Sequence, residues 1–151
     1  MLPIPERRER CRENNPPTLL ILSGISECRN EILRDAKWWL TSVQPPVNIV
    51  ITMYLDLRPR TIAIEVWKLL TSREDHSCSR DCNRLCSKIA LKVILTPVDD
   101  TNNYRASRDL TLSFRDIVLR KPPVGEEEIV FSKQDLEDWT KSIFERIDRS
   151  A

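Results

Sequence analysis

Three acidic residues at helical spacing are the first side chains in this sequence that could do chemistry. Glu27, Glu31 and Asp35 follow one another at intervals of four residues, which places their carboxylates on one face of a helix. Carboxylate oxygens are ligands for Mg²⁺, so Glu27 or Asp35 is a candidate for a metal site. The alternative is a solvated helix face, because acidic side chains are favoured near a helix N-terminus.

Glu65 is a second candidate because it interrupts the apolar run 61–70. If this carboxylate is buried in a sheet it needs a partner, and we expect Arg29 or Arg34 to provide one. If it is exposed, it is an ordinary surface charge. A structural role is favoured over a catalytic one, since no second carboxylate is evident nearby.

A third candidate is a cluster of metal-ligating residue types at His76, Cys78, Cys82 and Cys86. Cysteines at intervals of four would line one side of a helix, and three thiolates with one imidazole satisfy tetrahedral Zn²⁺. The spacing matches no zinc-finger or iron–sulfur pattern. The alternative is a flexible insertion between strands that carries reduced thiols.

The composition excludes several classes of function. The chain has only two glycines, so the glycine-rich loops that cradle nucleotide phosphates are absent. It has one histidine and no serine or cysteine in a nucleophile motif, so nothing points to nucleophilic catalysis. The net charge of +1 gives no field that would draw the chain onto nucleic acid. Nucleic acid is therefore a possible partner, but the net charge does not indicate it.

The sequence also indicates a compartment. No apolar run is long enough to cross a bilayer, and the first residues lack the apolar core of a secretory signal, so we expect no membrane association. Five cysteines is an odd number, which favours reduced thiols. We therefore predict a cytoplasmic or nuclear protein.

Hydrophobic periodicity predicts the elements that must position these residues. Strands are expected from runs that are apolar or that alternate with period two, at 18–23, 47–55, 61–70, 89–95 and 110–119. The first of these, which is continuously apolar, is typical of a buried central strand. Helices are expected at 26–40, with Ser26 as N-cap, and after Ser132, whose capping box is completed by Asp135.

This order of elements predicts one α/β (α+β) domain over residues 17–148, with a Cys-rich insertion at 71–88 and a flexible charged arm at 1–16. The sheet should be mixed and largely antiparallel, with one strand–helix–strand crossover and a C-terminal helix. In that C-terminal helix the apolar stripe is expected to run through Leu136, Trp139, Ile143 and Ile147.

Adjacent tryptophans at 38 and 39 cannot both face the core of one helix, because successive residues point about 100° apart. With Trp39 in the apolar stripe, Trp38 is either covered by the C-terminal helix or available to a partner. We predict that Trp38 marks an interface to a protein partner or to an identical chain.

Residues 17–40, 47–51 and 62–67 together carry a resemblance to a known group. Their pattern is an apolar strand ending in Ser-Gly-Ile-Ser-Glu, a helix with Asp-Ala-Lys-Trp-Trp-Leu, and a hairpin ending in Ile-Glu-Val-Trp. It resembles a group of uncharacterised fungal proteins, which is in turn similar to the restriction-endonuclease-like PD-(D/E)XK fold, in particular the bacterial Uma-type nucleases. The resemblance covers about residues 17–70.

The resemblance implies Mg²⁺ held by an Asp on one strand and a Glu on the next, with a Lys beside the attacking water. The Glu position corresponds to Leu22, and residues 1–16 contain neither an Asp nor a strand pattern. The chain therefore resembles a catalytically inactive nuclease-like domain that acts as a protein-interaction module.

Two other functions stay open from the sequence. One is a Mg²⁺-dependent nuclease whose carboxylates are displaced to Glu27, Asp35 and Glu65. The other is a zinc-stabilised protein-binding module built on the cluster at 76–86.

Overall fold

The computed structural model describes residues 17–43, 47–69, 87–118 and 121–151. The helices and strands, numbered here in chain order, are β1 (Leu19–Ile25), α1 (Arg29–Thr41), β2 (Ile49–Asp56), β3 (Thr61–Leu69), β4 (Ser87–Pro97), β5 (Tyr104–Ala106), β6 (Leu110–Ser113), α2 (Phe114–Val118), β7 (Glu128–Phe131) and α3 (Lys133–Ser150). The protein is α+β, as the sequence predicts. No helix within these ranges is both long and apolar enough to span a membrane.

The main sheet has five strands in the order β1-β2-β3-β4-β5 and is mixed. β1 pairs with β2 in parallel, and α1 connects them, which confirms the predicted crossover. The next three pairings, β2 with β3, β3 with β4 and β4 with β5, are antiparallel. These pairings confirm that the sheet is mixed and largely antiparallel.

The prediction of a central position for the first strand is wrong, because β1 lies at the edge of the sheet. Its apolar run has another cause. Leu20 and Leu22 pack against the apolar cluster under α1, while Leu19 packs against the cluster on the opposite face. The strand is therefore apolar on both faces without being enclosed by strands on both sides.

Each face of the sheet has its own apolar core. Under α1 the core is formed by Ala36, Leu40, Val47 and Val50, with the partly buried Trp39 and Trp67 against it. The opposite face carries the larger core, in which residues of β2 to β5 pack with β6 and with Leu136 and Phe144 of α3. α1 and α3 thus cover different faces.

The region after β4 departs from prediction in three places, at β5, α2 and β7. β5 lies between the strands predicted at 89–95 and 110–119, where no strand is predicted. The strand expected at 110–119 ends at Ser113, and the helix α2 follows. α2 contacts the sheet through polar groups: Asn48 Nδ2 donates to the Asp116 carbonyl at 2.8 Å, and Thr18 donates to the Ile117 carbonyl at 2.5 Å. Period-two apolar residues in this segment therefore continue into a helical turn, which strand periodicity does not detect.

The ends of the two long helices test the capping predictions. The capping box of α3 is confirmed, since Ser132 Oγ accepts from the Asp135 N–H and the Asp135 side chain accepts from the Ser132 N–H. The start predicted for α1 at Ser26 is wrong. Ser26–Cys28 forms a 3₁₀ turn, and α1 begins at Arg29 without a side-chain cap.

Two predicted segments lie wholly or mostly outside the residues that the structure describes. The charged arm at 1–16 lies outside the described residues. The Cys-rich insertion predicted at 71–88 lies outside the described residues up to residue 86, and β4 begins at Ser87.

Candidate functional site

A row of polar side chains crosses the three central strands of the sheet under the start of α1. Glu65 on β3 pairs in register with Thr52 on β2 and with Lys92 on β4. Residues in register on antiparallel strands point to the same face, so these three side chains lie side by side. The Glu65 side chain is 0% exposed, which makes it a fully buried carboxylate.

Two cations bind the buried carboxylate through the same oxygen. Arg29, the first residue of α1, donates from Nη2 to Glu65 Oε1 at 3.0 Å, and Lys92 Nζ lies 3.2 Å from that oxygen. The expectation that Arg29 or Arg34 would serve Glu65 is confirmed for Arg29, while Arg34 is exposed on α1. The side chains of Arg29 and Lys92 are 47% and 41% exposed, so the cluster opens to solvent through its cations.

Aromatic residues complete the cluster. The Arg29 guanidinium lies over the Tyr54 ring, 5.1 Å from its centre, and Trp67 Nε1 donates to Thr52 Oγ1 at 3.1 Å. Burial, reinforced by the negative charge of Glu65, raises the pKa of Tyr54 above its ordinary value, so Tyr54 is a neutral phenol at physiological pH. Within the described ranges, Tyr54 Oη and Glu65 Oε2 are the buried side-chain atoms that make no hydrogen bond.

This arrangement favours a structural ion cluster over a catalytic one. Desolvating a carboxylate is costly unless other charges compensate, and Arg29 and Lys92 provide that compensation. By binding Glu65 from α1, Arg29 also fixes the first turn of the helix on the sheet. A divalent cation approaching Glu65 Oε1 would meet two positive charges already at hydrogen-bond distance.

The other two candidate carboxylates do not join Glu65. Glu27 is exposed in the 3₁₀ turn before α1, so the α-helical spacing that would align it with Glu31 and Asp35 does not apply. Asp35 is half-buried in the middle of α1. Among the described residues, no group of three or more His, Cys, Asp or Glu side chains could hold a metal ion.

The resemblance to nucleases places a catalytic acid at Leu22, and the structure shows what this residue does instead. Leu22 is half-buried and packs against the apolar core under α1, formed by Ala36, Leu40, Val47 and Val50. The candidate zinc ligands His76, Cys78, Cys82 and Cys86 lie outside the described residues.

The predicted interface residue Trp38 is half-buried on α1. Its ring meets that of Trp39 edge-on, with 5.2 Å between the ring centres. Cover by the C-terminal helix, one of the two predicted alternatives, is wrong because α3 packs on the opposite face of the sheet.

Two features escaped the sequence prediction. The first is a pair of exposed apolar side chains on β1, Ile21 at 53% and Ile25 at 41%. The second is a cleft at the other end of the sheet, lined by Arg60, the acidic residues Asp99, Asp100 and Asp148, and their neighbours. The exposed pair could have been found from the sequence, because alternate residues of a strand share one face and Ile21, Ser23 and Ile25 are alternate residues.

Arg60 is held firmly in this cleft. It donates from Nη1 and Nη2 to the two carboxylate oxygens of Asp148 at 2.8 and 3.0 Å, and its guanidinium lies 4.6 Å from the centre of the Phe144 ring. Its backbone has φ of 67°, a left-handed conformation that non-glycine residues rarely adopt. These contacts join the β2–β3 turn to the end of α3, which is a structural role.

Comparison of the chain with protein-family models, with curated proteins and with solved structures finds no match. Function is therefore inferred from the residues and contacts of this chain. The two features that bear on it are the buried ion cluster at Glu65 and the exposed apolar side of β1.

Proposed function

We propose that this chain is a nuclease-like domain that lacks catalysis and acts as a protein-interaction module. The observation that carries the proposal is the state of Glu65, the one candidate carboxylate that lies inside the sheet. Its Oε1 atom is bound by Arg29 and Lys92, so two cations occupy the side from which a metal would approach.

Electrostatic repulsion explains why two bound cations disfavour a metal at Glu65. Unit charges about 4 Å apart interact by roughly 4 kcal/mol at an effective dielectric constant of 20, so two neighbouring cations disfavour a divalent metal on the same oxygen. Leu22, at the position where the resemblance places the acid, supports the proposal independently because it packs in an apolar core.

The interaction half of the proposal is supported by the distribution of apolar surface. Ile21 and Ile25 are exposed on a strand at the sheet edge. Scattered exposed apolar residues are ordinary on protein surfaces, but a group on one strand is typical of a binding surface. Trp38 lies on α1, on the other face of the sheet, and stays a separate candidate for an interface.

A cleavage assay tests the catalytic half. The purified protein is incubated with single- and double-stranded DNA and with RNA in Mg²⁺ or Mn²⁺, beside a metal-dependent nuclease as positive control. We expect no cleavage above that of a buffer blank at any enzyme concentration tested.

The outcome that would contradict the proposal is metal-dependent cleavage that disappears in a variant of a candidate carboxylate. Glu27→Ala, Asp35→Ala and Glu65→Gln are the variants to compare, with Glu126→Ala as a control in an exposed loop. Loss of cleavage in any of the first three, with retention in the control, would establish the displaced-site nuclease instead.

A further inference from the structure

The face of the main sheet that α1 covers is open on its β4 side. The core under α1 reaches as far as the partly buried Trp67 on β3. Beyond it, Ile89 and Ile94 of β4 are each 39% exposed. Ile94 pairs in register with Ala63, and Ile89 pairs with Trp67 across the bulge in this ladder. Paired residues share a face, so both isoleucines lie exposed on the same face as α1.

Two cations on β4 and β5 share this face with the isoleucines. Lys92 lies between them on β4, and its contact with Glu65 fixes it on the α1 side. Arg105 lies between Tyr104 and Ala106, whose buried side chains belong to the core on the opposite face. Alternate residues of a strand point to opposite faces, so the exposed Arg105 side chain points to the α1 side.

The flank of α1 provides another cation. Ile32 Cδ1 lies 2.8 Å from the position that a Cβ on Gly24 of β1 would take, whereas Arg29 reaches Glu65 on β3. Going from Ile32 to Arg29 turns the helix surface by ~60° away from β1, and Lys37 lies ~80° further in the same direction. The exposed Lys37 side chain therefore projects sideways from α1 towards β4.

These side chains give the open surface an excess of positive charge. The acidic residues of β2 to β5 are Glu65 and Asp56. Two cations share Glu65, so the buried cluster itself keeps one positive charge. Within the part of the chain that the structure describes, Lys37 and Arg105 form no ion pair. Asp56 ends β2, three strands or ~14 Å from β5, so it does not neutralise Arg105.

We propose that this open surface, formed by Lys37, Ile89, Lys92, Ile94 and Arg105, binds an amphipathic acidic helix of a partner protein. Strands lie ~4.8 Å apart and a helix with its side chains is ~10–12 Å wide, so the strands beside α1 leave room for one helix. Its apolar side chains would pack on the two isoleucines, and its Asp or Glu side chains would meet the cations. The inference rests on the proposed interaction function and names a partner class for it.

Two other occupants fit this surface less well. A second copy of the chain has no spare long helix among its described residues, because α1 and α3 each pack on their own sheet. Single-stranded nucleic acid is held by bases that stack on aromatic rings. The rings on this face are engaged within the chain, since Arg29 lies over the buried Tyr54 and Trp67 donates to Thr52. Exposed isoleucines among cations therefore favour an acidic helix.

The test is direct binding of a synthetic helical peptide to the full chain. The probe is a fluorescent peptide of about 18 residues, or five helical turns, with Leu along one face and Glu on both borders of that face. Fluorescence polarisation is measured at low and at physiological salt. We expect saturable binding that weakens with salt, since exposed charge pairs are screened. Two control peptides, one with Lys in place of Glu and one with Gln in place of Leu, should not bind.

Variants at the isoleucines locate the binding surface. Ile89→Glu and Ile94→Glu place a carboxylate against an acidic partner and should each weaken binding by at least about tenfold. The matched control is Ile21→Glu, at a position that is 53% exposed on the opposite face, and it should leave binding unchanged. Circular dichroism establishes that each variant is folded.

Charge-reversing variants test the electrostatic part. Lys37→Glu and Arg105→Glu should each weaken binding by about threefold to tenfold, the effect of an exposed charge pair, and the salt dependence should decrease with them. Lys141→Glu reverses an exposed charge on α3 and should change neither quantity. Arg29 and Lys92 are left intact because they compensate the buried Glu65.

Several results would overturn the proposal. These are no binding of the Glu–Leu peptide, equal binding of either control peptide, and binding that survives both Ile89→Glu and Ile94→Glu. A dimer in light scattering that Ile94→Glu converts to a monomer would replace the acidic helix by a second copy. Displacement of the peptide by oligothymidine, lost in Arg105→Glu, would replace it by nucleic acid. None of these results measures DNA or RNA cleavage, so failure of this inference is distinguishable from failure of the catalytic half of the proposed function.

Discussion

Among single residues, Glu65 links β3 to the start of α1 and to β4. A carboxylate in the middle of a central strand would be destabilising without compensation, yet here it fixes the first turn of α1 through Arg29. The same contact places the Arg29 guanidinium over Tyr54. The start of α1, which has no side-chain cap, is therefore held by an ion pair instead.

Replacing the buried carboxylate tests this role. Glu65→Gln removes the charge that Arg29 and Lys92 bind, and we expect the free energy of unfolding to fall by about 1–3 kcal/mol. The loss should stay below that for a fully buried pair, because both cations are partly solvated. The measurement is urea unfolding, with Glu27→Gln in the exposed turn as a control that changes stability by less than about 0.5 kcal/mol. Equal midpoints for the two variants would show that the cluster is not structural.

Asp148 provides a pH-dependent prediction. Its hydrogen bonds from Arg60 lower its pKa below the ordinary 3.8, so the folded state binds the proton less readily than the unfolded state. The resulting contribution to stability is present above the ordinary pKa and is lost as pH falls through the lower pKa of the folded protein. We expect Asp148→Asn to melt below the parent protein at pH 7, with the difference vanishing at low pH.

The control for this experiment is Asp100→Asn, a change at an exposed carboxylate in the same cleft. Its melting temperature should follow that of the parent protein at both pH values. Because Asp148 is exposed, the difference at pH 7 should also shrink in high salt. A difference that persists undiminished at pH 2 would contradict the ion-pair explanation.

At the scale of helices and strands, the sequence predicted an element correctly where a single capping residue or a regular hydrophobic period determines it. The alternation at 47–55 identified β2, and Ser132 with Asp135 identified the start of α3. Arg29 was among the partners expected for Glu65. These predictions succeeded because strand period, helix capping and charge compensation depend on near neighbours or on pairing rules.

The failures at this scale have non-local causes. Whether β1 is central or at an edge depends on which strands pair with it, and a continuous apolar run fits both positions because α1 covers one face. The stripe predicted for α3 placed Trp139 in the core, but Trp139 is 38% exposed and Phe144 is buried. Phe144 lies eight residues after Leu136, which is also helical spacing, and it stacks on Tyr104 with 5.2 Å between the ring centres. This contact with β5 decides between the two possible stripes.

That contact predicts which residue holds α3 on the sheet. Phe144→Ala leaves a cavity between α3 and β5 and should lower the free energy of unfolding by about 3–5 kcal/mol. Trp139→Ala removes a larger side chain from a more exposed position and should cost clearly less. Chemical denaturation of both variants checks the order, and an equal or larger loss for Trp139→Ala would show that α3 packs through a different face.

In the whole molecule, the two long helices cover the main sheet diagonally. α1 lies over the β1 side of one face, and α3 lies over the β5 side of the other. Apolar side chains are left exposed at both uncovered corners, Ile21 and Ile25 on β1, and Ile89 and Ile94 on β4. This diagonal arrangement explains why a domain with two apolar cores still presents open sheet surface.

The order of the main sheet follows the order of its strands in the chain, β1 to β5. During synthesis each strand can therefore add to the edge of the one before it, and no strand has to be inserted between two others. α3 follows all of the described strands, so the face with Ile62, Ile64 and Val93 lacks the cover of Leu136 and Phe144 until this helix has left the ribosome. At roughly 5–20 residues per second, that interval lasts seconds, and we expect chaperones that bind apolar segments to act on this chain before α3 arrives.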